Sequence, residues 1–339
     1  MHGVVLRRPG VLELFEQREP NAPGPTEALV ATRRIGLCGT DYHAYAGNQN
    51  FFTYPRVLGH ELAVEVLDVG SDVRNVRPGD HCAVLPYLTC GACFPCRRGR
   101  NNCCERLDLL GVTIDGGMRE RFVIPAGLLY VCPGLDLDAL ALIETLGIGW
   151  HAVQRSEAQA GQFALIVGAG PIGLAIAQAL LLRGTRVVLT DISERRLATV
   201  TASLSVETIR AGDGLAERLC ELGDGDLPSL VFDATGSRQS IEAAPALVGF
   251  SGSLVLVGHT TGPLTFDNPT VHRRELTIVA SRNARPEDWS QLVPRVVAGG
   301  IDTASWIGGR ITLEQVPDHL GVWAGSAGTM MKGIVEVTS

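Results

Sequence analysis

The sequence predicts an α/β protein of two domains, in which a β-rich domain surrounds a domain built on a doubly wound parallel sheet. Three observations predict this arrangement. The chain has 339 residues, more than one ordinary compact core holds. Short apolar runs separated by Gly and Pro fill residues 1 to about 135, whereas strands and helices alternate from 163 to 257. A last apolar strand follows a segment without that alternation.

The first part of the chain has the pattern of short β-strands. Residues 28–31 and 62–67 are apolar runs suited to strands, and turns such as Arg-Pro-Gly-Asp at 77–80 separate them. The pattern changes near Asp136, because residues 137–154 carry apolar side chains at helix spacing and no proline. We therefore expect a long helix to lead out of the first domain.

The middle of the chain predicts buried parallel strands, because continuous apolar runs are typical of strands covered on both faces. The predicted strands are 163–167, 186–191, 230–233 and 253–257. An apolar helix is expected at 174–182, and the alternation of strand and helix is typical of a doubly wound sheet. Residues 333–337 form a further strand that could rejoin the sheet of the first domain.

Composition argues against several classes of protein. The formal net charge of −7 disfavours nucleic acid as a partner, because a phosphate-binding surface needs a basic excess. No apolar run is long enough to span a bilayer, and residues 1–13 lack the apolar stretch of a secretory signal, so we expect a cytoplasmic protein without membrane partners. Five of the nine cysteines lie between Cys90 and Cys104, which in such a protein favours metal binding over disulfides.

A glycine-rich motif directly follows the first buried strand of the middle region. The motif is Gly168-Ala169-Gly170-Pro171-Ile172-Gly173, and an apolar helix comes after it. The first glycine permits a tight turn, the second lets a pyrophosphate approach the backbone, and the third lets helix and strand pack closely. Amide groups at the helix N-terminus would then bind the phosphates. In this context the motif predicts a bound dinucleotide, and a purely structural glycine turn is the alternative.

Asp191 ends the next predicted strand, 18 residues after Gly173. Its carboxylate can accept hydrogen bonds from ribose hydroxyls and would repel a 2′-phosphate, which favours NAD over NADP. Arg195 and Arg196 follow within five residues and could offset part of that repulsion, although arginines there more often cover the adenine or face solvent. NADP is therefore the second choice.

A second motif carries four thiols within fifteen residues. They are Cys90, Cys93, Cys96 and Cys104. A structural zinc ion takes four tetrahedral ligands, and Cys-x2-Cys spacing lets one short loop surround it. Cys103 adjoins Cys104 and could replace it as the fourth ligand. Unrelated thiols or an iron–sulfur site are the alternatives, but the common iron–sulfur spacings differ. We expect structural zinc in a lobe at about residues 86–106.

Other candidate metal ligands are dispersed along the chain. Cys38 begins the run Cys-Gly-Thr-Asp, His60 and Glu61 follow Gly59, and Glu144 lies in the predicted long helix. Taken alone, each would be an ordinary packed or solvated residue. A catalytic zinc, however, needs about three protein ligands and one open position. Zinc as a Lewis acid and NAD as a hydride acceptor together suffice for alcohol oxidation.

The order of these motifs resembles the zinc-containing medium-chain dehydrogenase/reductase family, over nearly the whole chain. The matching segments are 38–41, 59–61, 78–80, the four-cysteine lobe, 168–173 and Asp191. The resemblance implies a GroES-like catalytic domain at 1–146 and 283–339 and a Rossmann NAD-binding domain at 147–282. It also implies assembly as a homodimer or homotetramer.

The resemblance assigns roles to the dispersed ligands. Cys38, His60 and Glu144 would hold the catalytic zinc, and Glu61 would bind it directly or through water. Alcohol dehydrogenases of the family usually have cysteine where this chain has Glu144. The chain is therefore more similar to the branch of sorbitol (polyol), threonine and sugar-acid dehydrogenases.

Further cofactor contacts are expected from the same resemblance. Residues 274–278, followed by Ser281 and Arg282, are similar to a segment that borders the nicotinamide pocket in that branch. Val257, at the end of a predicted strand, and Arg196 complete the expected set with Asp191 and the glycine-rich loop.

The family pattern also implies a proton relay. Zinc lowers the pKa of a substrate hydroxyl, and Thr40 would accept the proton and pass it through the cofactor ribose to His43 at the surface. An imidazole suits the last step because it titrates near physiological pH. A turn threonine and a helix-face histidine are the alternatives.

The expected substrate is a small polar molecule with vicinal hydroxyls, a polyol or sugar acid ahead of L-threonine and simple alcohols. Asn48, Phe51 and Phe52 are expected near the mouth of the pocket, and Arg282 could pair with an acidic substrate. Two rivals remain at this point: a zinc-free oxidoreductase of the quinone-reductase type, and a non-enzymatic cofactor-binding protein.

Overall fold

The computed structural model describes residues 1–49, 52–325 and 330–338, so Phe51 lies outside the described residues. The chain forms two compact units, one of Met1–Glu144 with Arg285–Ser339 and one of Thr145–Ala284. The boundaries expected from the sequence, 146/147 and 282/283, differ from these by two residues at each junction.

The elements follow one another in three groups along the chain. The first group is β1 (His2–Arg8), β2 (Val11–Glu16), β3 (Glu27–Leu37), α1 (Gly39–Ala46), β4 (Arg56–Val57), β5 (Glu61–Val69), β6 (His81–Val84), β7 (Tyr87–Leu88), α2 (Phe94–Arg97), β8 (Asp108–Leu109), β9 (Arg121–Pro125), β10 (Leu129–Val131) and α3 (Leu137–Ser156). The second is β11 (Phe163–Val167), α4 (Pro171–Leu181), β12 (Arg186–Asp191), α5 (Glu194–Ser203), β13 (Glu207–Arg210), α6 (Leu215–Leu222), β14 (Leu230–Asp233), α7 (Arg238–Ala243), β15 (Ser253–Leu256), α8 (Asn268–Arg273) and β16 (Thr277–Ala280). The third is α9 (Pro286–Val297), β17 (Ile307–Thr312), α10 (Val316–Gly325) and β18 (Lys332–Glu336). In the described ranges, no helix combines the length and the apolar character needed to cross a bilayer.

The first unit is built on a seven-stranded sheet with the order β10-β6-β5-β3-β18-β17, in which β9 also pairs with β3. Its central strands β3 and β5 are largely buried, and side chains such as Ile35, Leu62 and Val64 are fully buried in the core. Strand β18 pairs antiparallel with β3, with Gly333 opposite Leu37. The prediction that the last strand rejoins the first domain is confirmed, and this register brings the start of β18 beside the end of β3.

The second unit contains a six-stranded sheet whose pairings are all parallel, in the order β13-β12-β11-β14-β15-β16. This is the predicted doubly wound arrangement, and the strand order reverses between β11 and β14. Strands β11, β12 and β14 have the predicted bounds, and β15 is one residue shorter. The edge strand β13 was not predicted, because its half-exposed Glu-Thr-Ile-Arg sequence lacks an apolar run.

Candidate active site and metal centres

Three of the predicted metal ligands come together in the first unit. Cys38 follows β3 directly, Glu61 is the first residue of β5, and His60 directly precedes it. Since β3 and β5 are antiparallel partners, with Gly36 opposite Glu61, the sheet register brings the three residues to one place. One ligand atom from each of Cys38, His60 and Glu61 lies within 4.8 Å of the others. Gly36 makes this possible, because a Cβ at that position would lie only 2.2 Å from Glu61 Oε2.

Asp41 is fully buried beside two of these ligands, and it was not predicted as a site residue. Its Oδ2 accepts a hydrogen bond of 2.9 Å from the backbone N–H of Cys38, and its Oδ1 lies 3.8 Å from Nδ1 of His60. Burial lowers the pKa of His60, but the negative charges of Asp41 and Cys38 outweigh it and raise that pKa well above its usual value. A carboxylate beside a metal-binding imidazole typically fixes the ring and strengthens its basicity.

Lys332, the first residue of β18, is a site residue that sequence reasoning missed. Its Nζ donates to both carboxylate oxygens of Glu61, at 2.6 and 2.7 Å, and both side chains are almost completely buried. Burial lowers the pKa of Lys332, but Glu61, Cys38 and Glu144 together raise it above its usual value, so the side chain stays an ammonium. A signal was present, because Lys332 is the only lysine in the chain, in which the other 28 of the 29 Lys and Arg residues are arginines.

Glu144 lies in α3 and is buried, but it is outside the compact group of Cys38, His60 and Glu61. Its Oε1 accepts a hydrogen bond from the hydroxyl of Tyr87, another buried residue that the sequence did not reveal. Burial raises the pKa of Glu144, and Glu61 adds to the rise, whereas His60 and Tyr87 oppose it. In this structure Glu61 completes the three-ligand group, and direct ligation by Glu144 stays a prediction.

The donor set fits a catalytic zinc ion. Thiolate, imidazole and carboxylate are the ligands that zinc takes in proteins. Asp41, Glu61 and Glu144 are all buried, and burial raises the pKa of Asp41 and of Glu144 because the anions are costly there. With Cys38 as a thiolate, these acidic groups outnumber the cation of Lys332. A divalent cation would balance them.

The four cysteines of the lobe also form one cluster. The sulfur atoms of Cys90, Cys93, Cys96 and Cys104 all lie within 4.8 Å of one another. The Sγ–Sγ distances are 3.9 Å between Cys93 and Cys104 and 3.5 Å between Cys104 and Cys90. A tetrahedral zinc ion with Zn–S bonds of 2.3 Å requires sulfurs roughly 3.8 Å apart. Cys103 is exposed and is not part of the cluster, so Cys104 is the fourth member.

Backbone N–H groups of the lobe point at the sulfurs. Cys93 N donates to Cys90 Sγ at 3.4 Å, and Arg106 N donates to Cys104 Sγ at 3.4 Å. Such donors favour the thiolate, and those of Ala92 and Cys93 are the main cause that lowers the pKa of Cys90 to about 5. These donors prepare Cys90 to bind a metal ion as a thiolate, whereas burial and the neighbouring Cys93 raise the pKa of Cys96 to about 12.

The predicted relay residues lie on α1. Thr40 and His43 are three residues apart and therefore share one face of the helix. Thr40 is half-buried and His43 is exposed, with its Nδ1 3.0 Å from Oδ1 of Asn48. Transfer of a proton between Thr40 and His43 stays a prediction.

The glycine-rich loop in the second unit has the geometry that a dinucleotide requires. Gly168 has a φ of +104°, and a Cβ on Gly173 would lie 1.9 Å from the carbonyl oxygen of Gly168. A Cβ on Gly170 would meet no atom within 4 Å, so the backbone faces open space there. Pro171 then begins α4, followed by Ile172, and leaves the first amides of the helix for phosphate oxygens.

Asp191, the last residue of β12, supports this loop. Its Oδ2 accepts the N–H of Ala169 and its Oδ1 accepts the N–H of Ser193, both at 2.8 Å. Carboxylate oxygens have further lone pairs, so both bonds are compatible with ribose hydroxyls. Arg196 places Nη1 3.7 Å from Oδ2 of Asp191, close enough to reduce its negative field.

The other predicted cofactor contacts follow parallel strands of the same sheet. Val257 comes directly after β15, and Ser281 and Arg282 come directly after β16. The carboxyl ends of parallel strands lie at one edge, so these residues share the edge that carries Gly168 and Asp191. Contact with a nicotinamide ring stays a prediction for all three.

Comparisons with known proteins decide the family. Residues 24–134 match the profile of the alcohol dehydrogenase GroES-like domain, and residues 171–298 match that of the zinc-binding dehydrogenases. L-galactonate-5-dehydrogenase of Escherichia coli (strain K12) is 40% identical over 306 residues, which cover 90% of this chain and 89% of that one. The chain belongs to the zinc-containing medium-chain dehydrogenase family. It is therefore an oxidoreductase with zinc and a nicotinamide cofactor.

Solved structures of other dehydrogenases share the fold. An alcohol dehydrogenase of E. coli CFT073 (RspB), in complex with NADH, matches with a TM-score of 0.92 and 28% identity over 99% of both chains. A protein of Sinorhizobium meliloti 1021 described as a zinc-binding dehydrogenase, bound to NADP, matches with a TM-score of 0.90 and 28% identity, over 99% of this chain and 98% of that one. Both nicotinamide cofactors thus occur among relatives of similar distance.

Proposed function

We propose that this dehydrogenase oxidises a secondary hydroxyl of a polyol or sugar acid, with NAD as the hydride acceptor. The observation that carries the proposal is the compact group of Cys38, His60 and Glu61, with the buried carboxylate of Glu144 nearby. The similarity to L-galactonate-5-dehydrogenase, at 40% identity, favours a sugar acid within this class.

The chain's own residues divide the work of alcohol oxidation. When bound, zinc would polarise the substrate hydroxyl and NAD would accept the hydride. Cys38 and His60 would hold the metal, while Lys332 holds the Glu61 carboxylate beside it. Thr40 would accept the hydroxyl proton, and the exposed imidazole of His43 would release it to water.

The proposal includes two zinc ions per chain and a preference for NAD. The four-cysteine cluster supports the second, structural ion, because its sulfur spacing suits tetrahedral coordination. The buried carboxylate of Asp191 supports NAD, since it would repel the 2′-phosphate of NADP. Arg196 weakens that preference without reversing it.

We further propose that the enzyme works in the cytoplasm as a homodimer or homotetramer, on a small hydroxylated substrate and without nucleic acid or a membrane as partner. The cysteines of the described residues are free, which suits a reducing compartment. Light scattering after size-exclusion chromatography measures the assembly.

The test is a substrate screen on the zinc-loaded protein. Aldonates, polyols, amino alcohols and simple alcohols are offered with NAD or NADP, and the absorbance of the reduced cofactor is followed. Turnover of an aldonate or polyol with NAD is expected. Preferential turnover of L-threonine would support the threonine alternative, and reduction of quinones without any alcohol oxidation would overturn the proposal.

The Cys38→Ser variant is the matched control for the catalytic metal. It is expected to lose alcohol oxidation almost completely, while cofactor binding and the zinc of the four-cysteine cluster remain. Elemental analysis should then find about two zinc ions per chain in the wild type and about one in the variant. Near-normal turnover of Cys38→Ser would contradict the assignment of the catalytic zinc.

A further inference from the structure

The four-cysteine lobe is closed at its base by two short strands. Strands β7 and β8 pair antiparallel, with Tyr87 opposite Leu109, and the cysteines lie on the segment between the two strands. The backbone of Leu110 also donates to the carbonyl oxygen of Pro86, at 3.1 Å. Tyr87 therefore sits three residues before Cys90 on a segment that is fixed from both sides.

Tyr87 also reaches the proposed active site. Its side chain is 4% exposed, and its hydroxyl donates to Oε1 of Glu144, which is 5% exposed. Glu144 in turn interacts electrostatically with His60, Glu61 and Lys332. Tyr87 thus contacts a carboxylate of the active site while its backbone belongs to the base of the lobe.

We propose that Tyr87 is a positioning residue that holds the Glu144 carboxylate beside the metal-binding group of Cys38, His60 and Glu61. This inference rests on the metal site of the proposed function. One carboxylate oxygen receives the phenol, and a carboxylate has a second oxygen that can serve a metal ion or a water molecule. Groups that hydrogen-bond to the surroundings of a metal in this way typically change its affinity about 10- to 100-fold when they are removed.

With this assignment, each of the two carboxylates, Glu61 and Glu144, is held by a hydrogen-bond donor of its own. Lys332 holds Glu61 by a charged contact, whereas Tyr87 holds Glu144 by a neutral one. A neutral donor orients the carboxylate without cancelling its charge, so Glu144 keeps its full attraction for a divalent cation. Tyr87 contributes orientation, and Glu144 contributes charge.

The experiment measures zinc retention without substrate. Wild type, Tyr87→Phe, Glu144→Ala and the double variant are loaded with zinc and challenged with a chelator, and the zinc lost from each of the two sites is followed over time. Tyr130→Phe is the matched control, because Tyr130 is a half-buried tyrosine of the same unit whose ring packs on Trp289. Thermal unfolding of each variant verifies that it is folded.

We expect Tyr87→Phe to weaken zinc binding at the Cys38 site about 10- to 100-fold, with the four-cysteine zinc and the Tyr130→Phe protein unchanged. In the Glu144→Ala background, Tyr87→Phe should have no further effect, because the group on which it acts is gone. Unchanged zinc release in Tyr87→Phe, or an equal loss with and without Glu144, would overturn the inference.

A second pair of variants covers the case in which Tyr87→Phe does not fold. With 4-aminophenylalanine at position 87, a donor stays at the distance of the tyrosine hydroxyl, whereas 4-methylphenylalanine is of similar size and has none. The amino variant should retain the zinc better than the methyl variant, and equal retention would overturn the inference.

A wild type with two zinc ions but no polyol or aldonate turnover would refute the proposed function alone. Normal turnover with unaltered zinc in Tyr87→Phe would refute only the role of Tyr87, and a wild type that binds zinc only at the four cysteines would refute both.

Discussion

The ammonium of Lys332 lies 2.6 and 2.7 Å from the two carboxylate oxygens of Glu61, and the partners are 271 residues apart in the sequence. Both side chains are almost fully buried, at 2% and 1% exposure. A buried ion pair is costly to form because both charges lose water, but it is still more costly to break, because one charge is then left alone. Strand β18 is therefore held to the start of β5 by charge and to the end of β3 by backbone pairing.

Replacing the lysine should destabilise the protein strongly. Lys332→Met leaves the Glu61 carboxylate buried without its ammonium, so we expect the free energy of unfolding to fall by about 3–5 kcal/mol. Denaturant unfolding measures this loss. The double variant Lys332→Met/Glu61→Leu should recover most of the stability, and a single variant as stable as the wild type would refute this account of the ion pair.

The adjacent thiols Cys103 and Cys104 should respond in opposite ways. Cys104→Ser removes a buried member of the sulfur cluster, so the variant should lose one zinc equivalent and have a Tm lower by roughly 5–10 °C. Cys103→Ser changes an exposed thiol outside the cluster and should alter neither quantity. Elemental analysis and calorimetry compare the two, and zinc loss in Cys103→Ser would show that the fourth ligand had been misassigned.

Asp191→Asn should move the cofactor preference towards NADP. The substitution removes a buried negative charge, and a charge pair about 4 Å apart is worth at least about 1 kcal/mol, which corresponds to roughly a fivefold rise in kcat/KM for NADP. Steady-state kinetics with both cofactors gives the ratio. Adding Arg196→Gln should reverse part of the gain, since Arg196 is the nearby cation. An unchanged ratio in Asp191→Asn would exclude a discriminating role for the carboxylate.

The fall in the free energy of unfolding at acid pH should depend on Asp138. This residue accepts hydrogen bonds from Arg310 and Arg34, and the Arg310 bond is the main cause that lowers the Asp138 pKa below its ordinary 3.8. A lowered pKa means that the stabilisation is fully present above pH 3.8 and is lost as the pH falls through the pKa of the folded state.

We therefore expect Asp138→Asn to be less stable than the wild type near neutral pH, with a difference that fades in acid. Denaturant unfolding across the pH range follows it. In the Arg310→Gln background, replacing Asp138 with Asn should change the stability less at every pH, because the main hydrogen-bond partner of Asp138 is gone. A gap between wild type and Asp138→Asn that persists unchanged below pH 3.8 would contradict the assignment.

Local sequence patterns predicted the strands and the glycine-rich loop of the second unit better than they predicted the metal-binding group of the first unit. The turn at Gly168 and the buried strand ending at Asp191 are specified by neighbouring residues, because close packing and positive φ restrict the residue type position by position. Cys38, His60 and Glu61 could be proposed as one site only from their ligand chemistry beside a nicotinamide domain and from family resemblance, since the pairing of β3 with β5 brings them together.

Tyr87 and Lys332 escaped sequence reasoning for a physical reason. Their roles depend on single contacts with carboxylates 57 and 271 residues away, and such contacts leave no periodic signal. Spacing alone likewise did not show which of the adjacent residues Cys103 and Cys104 is the fourth ligand, because the sulfur of either one could complete the cluster. The exposure of one and the burial of the other decide it.

The lone lysine gives the protein an unusual chemical reporter. Because Lys332 is the only side-chain amine in the chain and is enclosed as an ammonium against Glu61, acylating reagents cannot reach a nucleophilic amine there while the site is intact. Acylation of this one position therefore requires local opening of β18 or of the Glu61 contact. The rate of labelling at Lys332, followed by mass spectrometry of the proteolytic peptide that carries it so that the N-terminal amine is not counted, would measure how often the active-site end of the sheet opens.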